Sequence, residues 1–189
     1  MSPSLFDADV LVLRRDRKRL AHGIRLEVCD RGGTVLATVT EPRKRSRLFG
    51  LDGFGDARTT AREVLISRPD GAPLALLHKQ WNALRRPTQI WDARGEPLGG
   101  IRVTSWSTAS WTFDITDPHG HTVGGVAGTA RAFTVTDGGG QTVADIFKEG
   151  DSQVLVFRAE PPEPLRTLAV AALVNTRLVL WGARIADFV

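Results

Sequence analysis

Apolar and polar residues alternate in short bursts through most of the chain, as in RLEVCD, EVLISRPD, TQIWD, WTFDITD and AFTVTD. A period of two puts successive side chains on opposite faces of a strand. Each burst runs into a small cluster of Asp, Pro and Gly, and small and apolar residues resume behind it. Strand, turn and strand in that order read as a β-hairpin.

The clusters are copies of one pattern. They are DRGGTVLATV from Asp30, SRPDGAPLALL from Ser67, DARGEPLGGI from Asp92, DPHGHTVGGV from Asp117 and DGGGQTVADI from Asp137. Aligned on Gly33, Gly71, Gly95, Gly120 and Gly140, they place Leu36, Leu74, Leu98, Val123 and Val143 three residues on. Three more bring Val39, Leu77, Ile101, Val126 and Ile146. Four carry Asp three residues ahead of the glycine, and the second has its Asp at position 70. Asp accepts bonds from its own backbone, and Gly takes the positive φ of a tight turn. Further strands are expected early, in ADVLVLRR, and late, in SQVLVFRA. Together these make an antiparallel sheet too wide to stay flat, which closes into a barrel or splits into a sandwich.

The pattern changes at AEPPEPLR. Pro161, Pro162 and Pro164 stop the last strand and suit the first turn of a helix. From Leu165 to Trp181 the residues are good helix formers, and Leu168 to Val174 is apolar without a break. Gly182 stands where a C-cap glycine belongs. Such a helix is about 25 Å long at 1.5 Å per residue, the lower limit of a bilayer span. It contains Arg166, Asn175, Thr176 and Arg177, and an Arg deep in a bilayer costs roughly 2.5–3.5 kcal/mol. Burial inside the sheet is the cheaper solution. The expected fold is all-β with one buried C-terminal helix, a closed antiparallel barrel around an apolar axis from about Leu165 to Trp181.

Composition narrows the partners. The 189 residues, 42% of them hydrophobic, read as a single domain over 1–189. A net charge of +4 and a sequence pI near 10.0 favour an anionic partner. Cys29 is the sole cysteine, so an intrachain disulfide is excluded and a thiolate zinc site lacks its other sulfurs. A reducing compartment fits. MSPSLFDADVLVL has no basic stretch leading into a long apolar one, so no signal peptide is read.

The segment FTVTDGGGQTVADIFKEGDSQVLVFRAEPPEPLRTLAVAAL resembles the closing part of scramblase-like bacterial proteins. Their hairpin pattern falls here on Asp137, Gly140, Val143, Ile146 and Lys148, and their helix pattern on Leu165, Arg166, Leu168 and Ala171 to Leu173. Over roughly Val10 to Trp181 the chain is similar to the Tubby C-terminal-like superfamily, which phospholipid scramblases and the LURP-one-related proteins share. The resemblance implies a barrel of about twelve strands around the helix and a connection to anionic lipid. Departures from the pattern argue against calcium-driven scrambling. The chain has no proline-rich leading segment, no cysteine cluster and no acidic loop after the helix, only ARIADFV.

Two basic runs carry the lipid expectation, RRDRKR with Arg14, Arg15, Arg17, Lys18 and Arg19, and RKRSR with Arg43, Lys44, Arg45 and Arg47. Near an anionic membrane each cation contributes about 1 kcal/mol. The plainer alternative is a solvated edge that blunts strand pairing. After the second run, Phe49 and Phe54 lie among glycines in a long gap between hairpins. Basic residues beside exposed apolar ones suit a membrane interface, and phenylalanines plugging one barrel end are the alternative. His119 and His121 flank Gly120 without an evident third ligand, so neither a metal nor any other cofactor is expected. The turn aspartates are explained by turn chemistry. No nucleophile elbow, P-loop or dinucleotide fingerprint occurs, and no catalytic residue is assigned.

With the resemblance, the expectation is a non-enzymatic, scramblase-like binding protein, cytoplasmic and peripheral at the inner face of the plasma membrane, that would contact anionic phospholipid through Arg14 to Arg19 and Arg43 to Arg47. The alternatives are a translocator inserted through the C-terminal helix and a barrel that binds a small molecule or nucleic acid. No recognition helix or RNA-binding signature supports nucleic acid, and no protein partner is specified.

Overall fold

The computed structural model describes residues 5–16, 25–41, 62–79, 86–107 and 109–186, with the backbone alone for 62 and 179–186. The strands are β1 (Val10–Arg15), β2 (Arg25–Cys29), β3 (Val35–Thr40), β4 (Arg62–Ser67), β5 (Pro73–Lys79) and β6 (Thr88–Asp92). They continue as β7 (Pro97–Trp106), β8 (Trp111–Thr116), β9 (Thr122–Gly128), β10 (Ala132–Asp137), β11 (Thr142–Glu149) and β12 (Ser152–Phe157), followed by α1 (Leu165–Ala186). Every strand is antiparallel to its chain neighbours, and β1 closes the sheet on β12, with Val10 opposite Val156 and Leu13 opposite Gln153. The expected twelve-stranded barrel is the observed one.

The five repeats are five turns at one end of this barrel, here the turn end. In each, the glycine N–H donates to the carbonyl three residues back, as Gly33 to Asp30 and Gly140 to Asp137, both near 3 Å. The aspartate carboxylate accepts the backbone N–H groups that follow it. Asp92 takes those of Arg94 and Glu96 at 2.8 and 2.9 Å, and Asp137 those of Gly139 and Gln141 at 2.9 Å. In the second turn Arg68 holds the first position, and Asp70 accepts from Ala72 at 2.9 Å. All five glycines have φ between +82° and +91°. Beside each turn the register slips by one residue, at Val28/Cys29, Ile66/Ser67, Ile90/Trp91, Ile115/Thr116 and Val135/Thr136. A turn closed by a left-handed glycine next to a bulge is the three-residue hairpin loop. Repeated five times, it adds the twist that bends the sheet into a closed wall.

The alternation seen in the sequence sorts side chains between interior and surface. Leu11 and Leu13, Leu26 and Val28, Val64 and Ile66, Ala75 and Leu77, and Phe113 and Ile115 all point inward and are buried. The axis of the barrel is α1, whose residues from Leu168 to Val174 are at most 1% exposed. Each Leu or Val buried there contributes about 1.5–3 kcal/mol, and a helix apolar on all sides needs such a surround. Gly182 was the expected stop, but the helix continues to Ala186. A single helical Gly costs only about 1 kcal/mol relative to Ala, and the Ala-Arg-Ile-Ala behind it favours helix.

Arg166 sits near the start of the helix and is 8% exposed. Its Nε donates to the Phe6 carbonyl and its Nη2 to the Ala8 carbonyl at 3.1 Å, and the guanidinium lies 4.3 Å from the Phe157 ring centroid. This arginine ties the segment before β1 to the helix.

Candidate functional site

Strand direction gives the barrel two unlike ends. At the turn end, the five turns carry Asp30, Asp70, Asp92, Glu96, Asp117 and Asp137 against Arg31, Arg68 and Arg94. Asp7 and Asp9, ahead of β1, and Glu160 and Glu163, behind β12, lie at the same end. The opposite, loop end receives the connections 16–24, 41–61 and 80–87 together with the short turns after β7, β9 and β11. Among its described residues Arg15, Arg86, Arg131 and Lys148 are exposed, as are Glu149 and Asp151. The first basic run begins in β1 with Arg14 and Arg15, and the rest of both runs falls in the sequence of the connections 16–24 and 41–61.

The two runs start from neighbouring points of one rim. Arg15 pairs with Leu26 on β2, and Thr40, the last residue of β3, pairs with Arg25. β1 and β3 thus flank β2, and strands about 4.8 Å apart bring their ends within roughly 10 Å of each other. Arg14 faces the outer wall. Its Nε and Nη2 lie 3.0 and 2.9 Å from Glu27 Oε2, and this bond raises the guanidinium pKa further above its ordinary value. An arginine already paired across strands gives less to a lipid phosphate than an unpaired one. Asp16 is bound by Arg25 at 2.6 Å. The expected contacts Arg17, Lys18, Arg19, Arg43, Lys44, Arg45, Arg47, Phe49 and Phe54 lie outside the described residues.

Just inside the loop end, polar residues interrupt the apolar core. Lys79, which ends β5, is only 2% exposed, and Thr88, which begins β6, is 3% exposed. The β5/β6 register runs from Leu77 opposite Ile90 to His78 opposite Gln89, so Lys79 and Thr88 are the next pair. The Thr88 hydroxyl donates to Asn175 Oδ1 of the helix at 3.1 Å. The Thr176 hydroxyl turns back to the Leu173 carbonyl at 3.0 Å. On the opposite wall Gln153 is buried, and its Oε1 has no hydrogen-bond partner. Sequence reasoning did not single out Lys79. Its signal was the in-facing series Ala75, Leu77, Lys79, which becomes meaningful only once the barrel closes over that face.

The remaining candidates fall into structural roles. His121 Nδ1 lies 3.1 Å from Asp117 Oδ2, and the two histidine rings of that turn are 6.2 Å apart. Burial pushes the Asp117 carboxyl up, but bonds from the His121 backbone and ring and from the His119 backbone outweigh it and hold the group below its usual range. Among the described residues no group of three or more His, Cys, Asp or Glu is placed to hold a metal ion. Asp114 and Asp145 pair across the outer wall with Arg102 at 2.8 Å and Arg158 at 2.7 Å. His78 packs against Trp91, with centroids 6.0 Å apart. His22 and Trp81 lie outside the described residues. Trp106 is 50% exposed at the loop end. Among the described residues no helix is long and apolar enough to cross a membrane.

Neither a family model nor a curated protein sequence matches the chain. Its structure is similar to the X-ray structure of a protein from Arabidopsis thaliana, with 20% sequence identity and a TM-score of 0.57. The alignment covers 94% of this chain and 93% of that one, so the likeness takes in the barrel together with its helix. At that identity it is a likeness of fold, and fold alone does not carry function.

Proposed function

We propose that this barrel is a non-enzymatic, peripheral membrane module of the Tubby C-terminal-like kind, related to scramblases and LURP-one proteins, that meets anionic phospholipid head groups at its loop end. What supports this reading is the order in which acidic turns and basic connections alternate along the chain. Acidic turns occupy one end, and the connections bearing most of RRDRKR and all of RKRSR join the strands at the other. Each cation near an anionic surface adds about 1 kcal/mol. The module works from the cytoplasmic face, where anionic lipid is exposed. The buried helix argues against the bilayer-inserted alternative, because its apolar surface is already spent on the barrel wall.

Vesicle co-sedimentation tests the reading. Detergent-free protein is mixed with phosphatidylcholine vesicles with and without phosphatidylserine, at low and physiological salt, beside a variant with Arg43, Lys44, Arg45 and Arg47 changed to Ser. Wild type is expected to pellet with the anionic vesicles only, more at low salt, and the variant to stay in solution. Failure of wild type to pellet at low salt overturns the proposal.

A further inference from the structure

We propose that the barrel docks end-on, with Trp106 as an aromatic anchor that enters the interfacial layer of an anionic bilayer between Arg86 and Arg131. The inference rests on the lipid reading above and adds to it the face, the orientation and the residue.

Trp106 is the one large hydrophobic side chain among the described residues that stands exposed, at 50%. It is the last residue of β7 and therefore lies on the rim of the loop end. It is also held in place. Its ring stacks on Trp111 across the hairpin, with centroids 5.8 Å apart and planes at 25°. Trp111 stacks on Phe113 at 6.2 Å, and Phe113 packs against Phe133 at 6.1 Å. Trp111, Phe113 and Phe133 are 5%, 1% and 3% exposed. A chain of rings thus runs from the core to the exposed indole. A side chain ordered before binding loses little entropy when it inserts, and indole, apolar with one N–H donor, is suited to the head-group layer.

The neighbours on the rim supply the charge. Strand order puts the β5–β6 connection on one side of the β7–β8 turn and the β9–β10 turn on the other. Arg86 lies in the first and Arg131 in the second, and both are exposed. Lys148 follows, with its N–H bonded to the Arg131 carbonyl at 2.8 Å. Among the described carboxylates of this rim, Glu149 and Asp151 belong to the β11–β12 turn, one position further round, and Asp16 and Glu41 to the connections after β1 and β3. The turn end has no comparable feature among the described residues. It is acidic, and its exposed side chains are polar or small. End-on docking through the loop end is therefore the orientation that presents a fixed aromatic and flanking cations together.

The test uses the full chain and the same vesicles. Trp106→Ser is expected to lower partitioning onto phosphatidylserine-containing vesicles about tenfold, from the apolar area it no longer buries. Arg86→Ser with Arg131→Ser is expected to weaken binding and flatten its salt dependence. Arg94→Ser at the turn end is expected to leave binding unchanged. Circular dichroism and thermal midpoints establish that each variant is folded. As a second readout, brominated phosphatidylcholine in the anionic vesicles should quench wild-type fluorescence, and Trp106→Phe should remove most of that quenching. If wild type binds these vesicles while Trp106→Ser binds equally well and Trp106→Phe is quenched like wild type, end-on docking through Trp106 is overturned and the broader lipid reading survives. If wild type does not bind at low salt, both fall. If Trp106→Ser weakens binding to a single-stranded polynucleotide and not to vesicles, the occupant is a nucleic acid and this proposal is wrong.

Discussion

The hydroxyl of Thr88 on β6 donates to Oδ1 of Asn175 on the central helix at 3.1 Å, with both residues at most 3% exposed. This bond joins wall to axis near the loop end, where Arg177 of the helix also donates to the Asp151 carbonyl at 3.1 Å. Asn175→Ala removes the acceptor, strands the hydroxyl in the interior and opens a cavity, which costs about 2–4 kcal/mol. Thr88→Val keeps the shape and should cost about 1 kcal/mol. Combining Thr88→Val with Asn175→Leu removes both polar partners and should cost less than the sum of the two single changes. Chemical denaturation of the four proteins measures the coupling. Strict additivity would mean that the bond contributes nothing.

Gly99 and Gly140 both have positive φ, yet their substitution should differ widely. At Gly140, with φ +82°, an added Cβ meets nothing within 4 Å, so Ala there suffers backbone strain alone, about 1–2 kcal/mol. At Gly99, with φ +144°, the Cβ would sit 2.0 Å from the Thr116 carbonyl oxygen, a backbone atom that cannot turn away. Gly99→Ala must spread β7 from the start of the next turn and should cost more than about 3 kcal/mol. Thermal midpoints compare the two, and equal losses would refute the distinction.

Those turns explain why so much of the fold was legible in sequence. Asp, Gly and the apolar residues behind them are local signals, and the geometry they encode is completed within five residues, as between Asp92 and Glu96. Strand number left a barrel or a sandwich open, and the apolar helix that needs a surround decided for the barrel. The end of the helix was less legible, because Gly182 costs a helix too little to stop it when the residues behind it favour helix. The turn after β7 has no Asp or Gly at all. There the Ser107 hydroxyl accepts the N–H groups of Ala109 and Ser110 at 3.2 and 3.0 Å, a weaker sequence signal for the same task.

The candidate site was less legible for a different reason. Trp106 and Trp111 are cross-strand partners in one hairpin, yet one is 50% and the other 5% exposed. Both sit at the rim, but Trp111 is also backed by β9 at Gly128 and by the Phe113 ring, and that cover is a property of the closed barrel. Arg14 reads as part of a basic run until the register sets it against Glu27. Lys79 ends an alternating strand in the sequence, and only the folded barrel shows it to be buried. The deciding neighbour is distant in sequence, 13 residues away for Arg14 and Glu27 and 87 for Thr88 and Asn175.

Cys29 yields a prediction at alkaline pH. It ends β2 opposite Val12 and is 1% exposed. Burial, the largest influence, raises its thiol pKa above the ordinary value, and the nearby Arg14 charge offsets this only in part. The folded protein therefore holds the thiol proton to higher pH than the unfolded chain, whose thiol ionises near about 8.5. The resulting stability is fully present below that value and is lost as pH rises through it toward the folded pKa. Stability measured by urea denaturation should be flat around neutrality and fall above about pH 8.5. Cys29→Ala, which loses little volume, should reduce that fall. Native protein should also react with a thiol reagent at the rate of unfolding rather than at the rate of a free thiolate. Rapid labelling of the folded protein at pH 8 would show that the β2 edge opens locally and that burial does not control this thiol.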